Sequence, residues 1–258
     1  MSLRDKNNQL TPTGKPGEAG AKPGGLAGSL RQAATKTAIS TTPDPRVTAA
    51  LQAVTAKHGV AIGNGRVGLF FDATASRASD WGKKKEIQEQ MFREIQGVGN
   101  MTLRPMHFGG HGLADHGWLN DPQIIAVKMR EVECVTGSTQ FIPGLEKFVT
   151  NNPREAAASI ILIGDAYEEG NVREALGPVI EKLAKQGTKI FTFLEGDNPT
   201  AKEAFQFMAE KTGGKFAPFG DLSLLRDLCV GVALMSIGGN AALQRLQNQE
   251  AQLLLTKG

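Results

Sequence analysis

Two apolar runs constrain this chain most, Val67 to Phe71 in GRVGLFFD and residues 159–164 in SIILIG, with a further strand at residues 189–194 in KIFTFL. A strand that is apolar at every position, rather than at alternate ones, has to be covered on both faces. Where helical patterns lie between such strands, a mostly parallel sheet with helices on both sides meets that condition. Residues 82–96 supply one such helix, with Ile87, Met91, Phe92 and Ile95 on one side and Lys, Glu and Gln on the other. Helical patterns also cover residues 47–58, closed by Gly59, then 121–131, 171–186 and 200–211. Another begins in QFIPGLEKFV after TGST, and two more fall around 221–236 and 239–255. MTLRPMHF and GWL, joined by a turn rich in Gly and His, read as a hairpin, and a weak strand lies near residues 215–219. The expected fold class is α/β: a doubly wound, mostly parallel central sheet flanked by helices, Rossmann-like.

Residues 1–45 are rich in Gly, Pro, Ala, Thr and Lys and carry almost no large apolar side chain, so the expectation there is a disordered tail. The domain proper then runs over residues 46–258 and ends in helices. The 29 basic and 26 acidic side chains leave a formal charge of +3, too mild to imply a nucleic-acid partner. Cys134 and Cys229 lie far apart in apolar settings, which suits buried free thiols in a reducing compartment. No signal pattern is read at the N-terminus, and no apolar stretch is read as reaching the eighteen or so residues that span a bilayer. The expectation is a cytoplasmic protein with no membrane partner.

In sheets of this kind ligands bind outside the carboxyl ends of the strands. Asp72 and Asp165 each follow an apolar strand directly, and Thr74 and Ser76 stand at alternate positions after Asp72. Oxygen donors without His or Cys select a hard cation, and Mg²⁺ in particular is held by few carboxylates with several waters kept.

LFFDATAS resembles the Asp-x-Ser-x-Ser signature of von Willebrand factor A-type domains, with Thr74 in place of the first Ser. GSTQFIPGLEKF is similar to the family's Gly-Gly-Thr segment opening a helix, and ILIGDAYEEG to its strand ending in Asp. The order and spacing match from about residue 65 to about residue 230, closest to bacterial intracellular members that share an Asp-Ala-Thr opening, a nearby Trp (here Trp81) and a Gly-x-Thr-Gln segment. The resemblance implies a metal-ion-dependent adhesion site (MIDAS). Thr74, Ser76 and Thr139 would touch the metal, Mg²⁺ or Mn²⁺, and Asp72 and Asp165 would bind it directly or through water. An acidic side chain from a protein partner would fill the remaining position. Thr74 adds a methyl group beside the ion and Ala166 stands where Gly is common, yet neither removes an oxygen. The implied activity is non-catalytic recognition of another protein.

Two rival readings are a scaffold whose site is empty and an enzyme. Asp-x-Thr after a strand also resembles the haloacid dehalogenase superfamily, where Asp72 would attack a phosphoryl group and Asp165 with Glu168 or Glu169 would hold Mg²⁺. That reading lacks the usual general acid two residues after Asp72, finds no Ser or Thr at the end of the next strand, and leaves only Lys147 as its cation. His107, His111 and His116, with Asp115 nearby, are placed at a hairpin tip as exposed turn residues rather than metal ligands. The Gly-containing turns GSTQ, GGHG and TGGKF match no phosphate-binding loop. NAALQRLQNQEAQLLL is expected to pack on the body of the domain.

Overall fold

The computed structural model describes residues 65–79, 81–97, 101–110 and 112–256. The helix expected at residues 47–58 and the segment 1–45 lie outside them. Six strands form one sheet: β1 (Gly65–Asp72), β2 (Met101–Gly109), β3 (Gly112–Asp115), β4 (Ser159–Gly164), β5 (Lys189–Glu195) and β6 (Phe216–Phe219). Their order is β3-β2-β1-β4-β5-β6, and every pairing is parallel except β2 with β3. The helices are α1 (Trp81–Gly97), α2 (Pro122–Arg130), α3 (Phe141–Glu146), α4 (Val172–Lys185), α5 (Pro199–Thr212), α6 (Leu222–Leu243) and α7 (Gln249–Thr256). The expected doubly wound α/β sheet is the observed one.

Both faces of the sheet are covered, which is why its central strands are apolar throughout. Val67, Leu69 and Phe71 of β1 join Ile161, Ile163, Phe191 and Phe193 on one face, against Phe92 and Ile95 of α1 and Leu228 and Val232 of α6. Phe70 turns to the other face with Ile160, Leu162 and Ile190, against Phe141, Leu176 and Phe205 of α3, α4 and α5. Each such side chain contributes about 1.5–3 kcal/mol on burial, so the two apolar layers dominate the stability.

The chain leaves β1 outward to β2 and β3, then crosses back to β4 on the other side of β1. β1 and β4 are therefore neighbours whose connections depart in opposite directions, and a crevice opens at their carboxyl ends. Phe71 pairs with Ile163, so Asp72 and Asp165 emerge together at that crevice.

Four local expectations need correction. The return strand of the hairpin is Gly112–Asp115, not GWL, because Gly110 and Gly112 take positive φ (52° and 120°) and reverse the chain at once. Leu119 of GWL makes only an isolated bridge to Leu103. The helix in QFIPGLEKFV is confined to Phe141–Glu146. Residues 239–255 are not one helix: α6 carries on past non-helical backbone at Gly238 and Gly239 to Leu243, and α7 starts afresh at Gln249. Asn248 begins it, its Oδ1 accepting from Ala251 N–H at 3.1 Å and its Nδ2 donating to Asp227 at 2.7 Å. α7 returns along α6, so that a Cβ on Gly231 would lie 2.4 Å from Leu255. α6 is also longer and more apolar than the sequence reading allowed: its 22 residues reach a mean hydropathy of 1.5 over an 18-residue window, enough to cross a membrane by length and composition. In the fold Leu225, Leu228, Cys229, Val232 and Ala233 of α6 are buried in the core.

Gly144 of α3 approaches β1 so closely that a Cβ there would sit 2.0 Å from the Phe70 ring. Phe70 is held edge-on by Phe108 and Phe141 and has no room to yield. Gly144→Ala is therefore expected to cost about 1–3 kcal/mol through overpacking, read as a lowered midpoint in urea unfolding. An unchanged midpoint would show that α3 is loosely seated.

Candidate functional site

Asp72 is the last residue of β1 and is buried. Its Oδ1 accepts the Thr74 N–H at 2.7 Å, while its Oδ2 is buried without a hydrogen-bond partner. Asp165, one residue past β4, has a buried Oδ1 in the same condition. Burial pushes the Asp72 carboxyl up to about 6, the Asp165 charge adding to the effect, while hydrogen bonds from Thr74 and the Arg77 charge oppose it. Thr74 Oγ1 lies 3.0 Å from Ser76 Oγ, on a 3₁₀ turn spanning Ala75–Arg77. Asp72, Thr74, Ser76 and Asp165 are thus one cluster.

Thr139 contacts the loop that follows Asp165. Its buried hydroxyl accepts the Glu168 N–H at 3.0 Å, on the loop that Asp165 opens. Two residues on, Phe141 anchors the segment among Phe70, Phe108 and Phe205. A Cβ on Gly164 would lie 3.0 Å from the Phe141 ring and 3.4 Å from Asp72 Cβ, so both side chains abut the same point of β4.

Glycine lets the Thr139 segment pass the ends of β1 and β2. Val135 bridges Thr74, donating its N–H to the Ala73 carbonyl at 3.1 Å, and its own carbonyl accepts Gly110 N–H at 3.2 Å. A Cβ on Gly109 would stand 2.4 Å from the Ala73 carbonyl oxygen, and one on Gly137 would stand 2.8 Å from Gly110 N. The turns GGHG and GSTQ therefore permit backbone approach, a role that their failure to match a phosphate loop concealed.

Beneath the cluster lies a charged network that the sequence reading missed. Arg77, 1% exposed, donates from Nη1 to the Asp72 carbonyl at 2.7 Å and from Nε to Glu195 Oε2 at 2.8 Å. Lys84 Nζ lies 2.7 Å from Glu195 Oε1 and 3.2 Å from the Arg77 carbonyl oxygen. Burial raises the Glu195 carboxyl, but the Arg77 and Lys84 charges and hydrogen bonds outweigh it and hold the group below its ordinary value. A signal existed for Glu195, which ends β5 as Asp72 ends β1. Arg77 gave none, since a charged side chain in a turn reads as solvated.

Two residues that the enzyme reading invoked, Glu169 and Lys147, make contacts elsewhere in the fold. Both carboxylate oxygens of Glu169 accept backbone N–H groups, from Phe141 and from Ile142 at 2.9 Å. Lys147 follows α3, with its carbonyl accepting Arg104 Nη1 at 2.7 Å.

Of the three histidines, His111 lies outside the described residues. His107 is not at the hairpin tip: it sits on β2, stacked between Phe71 and His116 with centroids at 5.7 and 5.3 Å. It and His116 line a cavity of about 490 Å³ with Lys128 and Glu131, and burial lowers the His107 imidazole to about 4. Cys134 is half-buried rather than a core thiol, and burial pushes it up to about 11, far from a nucleophilic thiolate. Among the described residues no three His, Cys, Asp or Glu side chains gather as a metal-ion group. The five expected donors are two carboxylates and three hydroxyls, an all-oxygen set that suits a hard cation.

No protein-family model and no curated protein sequence matches the chain. Solved structures do. A von Willebrand factor type A protein from Catenulispora acidiphila superposes with a TM-score of 0.55 at 12% identity, over 68% of this chain and 43% of that one. The SpRpn10 VWA domain gives 0.52 at 12% identity, over 64% of this chain and 95% of its own. Proximal thread matrix protein 1 from the mussel byssus, solved with a zinc-occupied MIDAS motif, gives 0.54 at 17% identity, over 67% of this chain and 46% of that one. This chain spans less than half of the Catenulispora and mussel proteins. It has the von Willebrand factor A fold.

A buried group, Asp72, and a half-buried one, His107, make opposite contributions to stability with pH. His107 ordinarily titrates near 6.5 and holds at about 4 when folded, so its contribution is complete above pH 6.5 and lost as pH falls toward 4. Asp72 moves from 3.8 to about 6, so its contribution is complete below pH 3.8 and lost as pH rises through 6. In chelator, His107→Gln is expected to lose less stability than the parent between pH 6.5 and 4, and Asp72→Asn to abolish the opposing slope. Urea unfolding across that range reads both, and parallel curves for parent and variants would contradict the burial argument.

Proposed function

We propose that this chain is a metal-dependent protein-interaction module, in which Asp72, Thr74, Ser76, Thr139 and Asp165 hold a divalent cation, Mg²⁺ or Mn²⁺, at the rim of the sheet. One observation carries the reading: Asp72 Oδ2 and Asp165 Oδ1 are buried at neighbouring strand ends with no hydrogen-bond partner. An unsatisfied buried oxygen costs about 1–3 kcal/mol, more when charged, and two such carboxylates side by side call for a cation between them. When bound, the ion supplies an electrophile whose remaining position takes an acidic side chain of a protein partner.

The chain's own residues set that up. Two carboxylates only balance a divalent charge, and the hydroxyls of Thr74, Ser76 and Thr139 bring dipoles without further charge. The Arg77 guanidinium ties the Asp72 carbonyl to Glu195 and so fixes the end of β1. The mussel protein's zinc-occupied MIDAS, on the same fold, supports divalent-ion binding of this kind. Against catalysis stands the engagement of Glu169 with the Phe141 and Ile142 backbone amides.

At pH 7.5, Mg²⁺ or Mn²⁺ at about a hundred times its dissociation constant should stabilise the chain by about 2.7 kcal/mol, and Asp165→Ala should abolish the response. Asp72→Asn should likewise lose it, yet in chelator be more stable than the parent, by on the order of 2–3 kcal/mol, because a buried charge is gone. That reversal of sign separates a ligand from a folding residue. The function itself is read by affinity capture from the native host with and without chelator, the expected result being a protein retained only with metal. Absence of any metal response would favour a scaffold with an empty site. Turnover of a phosphate ester lost in Asp72→Asn would favour the phosphatase.

A further inference from the structure

Glu169 stands four residues beyond Asp165 and has no place in the donor set proposed above. Its Oε1 accepts the Phe141 N–H and its Oε2 the Ile142 N–H at 2.9 Å, and the Thr139 side chain also hydrogen-bonds to it. The residue before it, Glu168, donates its N–H to Thr139 Oγ1 at 3.0 Å. Two consecutive residues of the β4 loop therefore grip Thr139, Phe141 and Ile142. That service comes from across the fold because the segment cannot supply it locally: Gln140, where α3 begins, makes no capping bond with its own side chain. Thr136, Gly137 and Ser138, just before Thr139, are exposed.

We propose that Glu169 is a positioning residue, whose carboxylate clamps the Phe141–Ile142 backbone so that the Thr139 hydroxyl is held toward Asp72 and Asp165, thereby setting the affinity for the divalent cation. The inference rests on the metal-binding reading above. Thr139 alone among the five donors comes from a segment that belongs to neither β1 nor β4, so its place depends on how that segment is tied down. A small hard ion tolerates little misplacement of its oxygens, and residues that orient donors without touching the metal commonly change affinity by 10- to 100-fold. Glu169 joins the Thr139 segment to the Asp165 loop, so the two that flank the site move as one body.

A carboxylate this near the site could also act by charge alone, and substitution separates the two effects. Glu169→Gln removes the charge but keeps one oxygen that accepts a backbone N–H, whereas Glu169→Ala removes both. Mn²⁺ binding to the full chain is titrated by electron paramagnetic resonance at pH 7.5, alongside amide hydrogen exchange at Phe141 and Ile142. Glu169→Ala is expected to weaken Mn²⁺ binding by about tenfold or more and to speed exchange at both amides. Glu169→Gln should recover a substantial part of the affinity. Equal Mn²⁺ affinity in Glu169→Ala and the parent would overturn the positioning role while leaving the metal site intact. Equal weakening in Ala and Gln variants would overturn it in favour of charge. A parent chain that binds no Mn²⁺ would overturn the metal reading itself, and this inference with it.

Discussion

Asp72 is buried and Asp165 half-buried at adjacent strand ends, each with one buried carboxylate oxygen that has no hydrogen-bond partner, and much of the surrounding architecture serves to hold them there. They stand at the ends of adjacent strands because the chain winds outward from β1 in one direction and resumes at β4 in the other. The apolar layers that bury β1 and β4 on both faces make those ends rigid, and the same burial raises the Asp72 carboxyl. Stability and site are in tension at this point: the better the strands are packed, the less water reaches the oxygens.

The charged layer beneath answers part of that tension. Arg77 is almost wholly buried, its Nη1 bonded to the Asp72 carbonyl and its Nε to Glu195. Lys84 completes the set on the remaining Glu195 oxygen. Two cations around one anion leave an excess positive charge close to Asp72, which offsets some of the repulsion between the carboxylates. A buried ion pair of this sort does little for net stability and much for geometry, since any rearrangement strands a charge.

Getting a third segment to the same place requires backbone to pass backbone. Val135 bridges Thr74, and Gly109 and Gly137 mark the points where a side chain would collide with a neighbouring main chain. Phe141 then locks the segment into a cluster of aromatic rings that also touches Gly164. The Thr139 segment is thus tied to the core through the Phe141 ring.

What the sequence by itself determined was the layered fold and the two strand-end acids. Consecutive apolar residues in VGLFF and SIILIG can only be accommodated under helices on both sides, and an acid at the end of such a strand has only the rim to occupy. Turn-level detail was lost where glycine conformations decided it, as at Gly110 and Gly112 of the hairpin and Gly238 and Gly239 of α6. The tertiary structure alone decided which distant charges meet: Arg77 with Glu195, 118 positions apart, and Glu169 with the Phe141 and Ile142 amides, some 28 positions away. His107 belongs with these, since its imidazole is packed rather than exposed only because Phe71 and His116 come to lie on either side. Periodicity reports burial along one segment. Which charge faces which amide depends on how segments cross, and no local pattern records that.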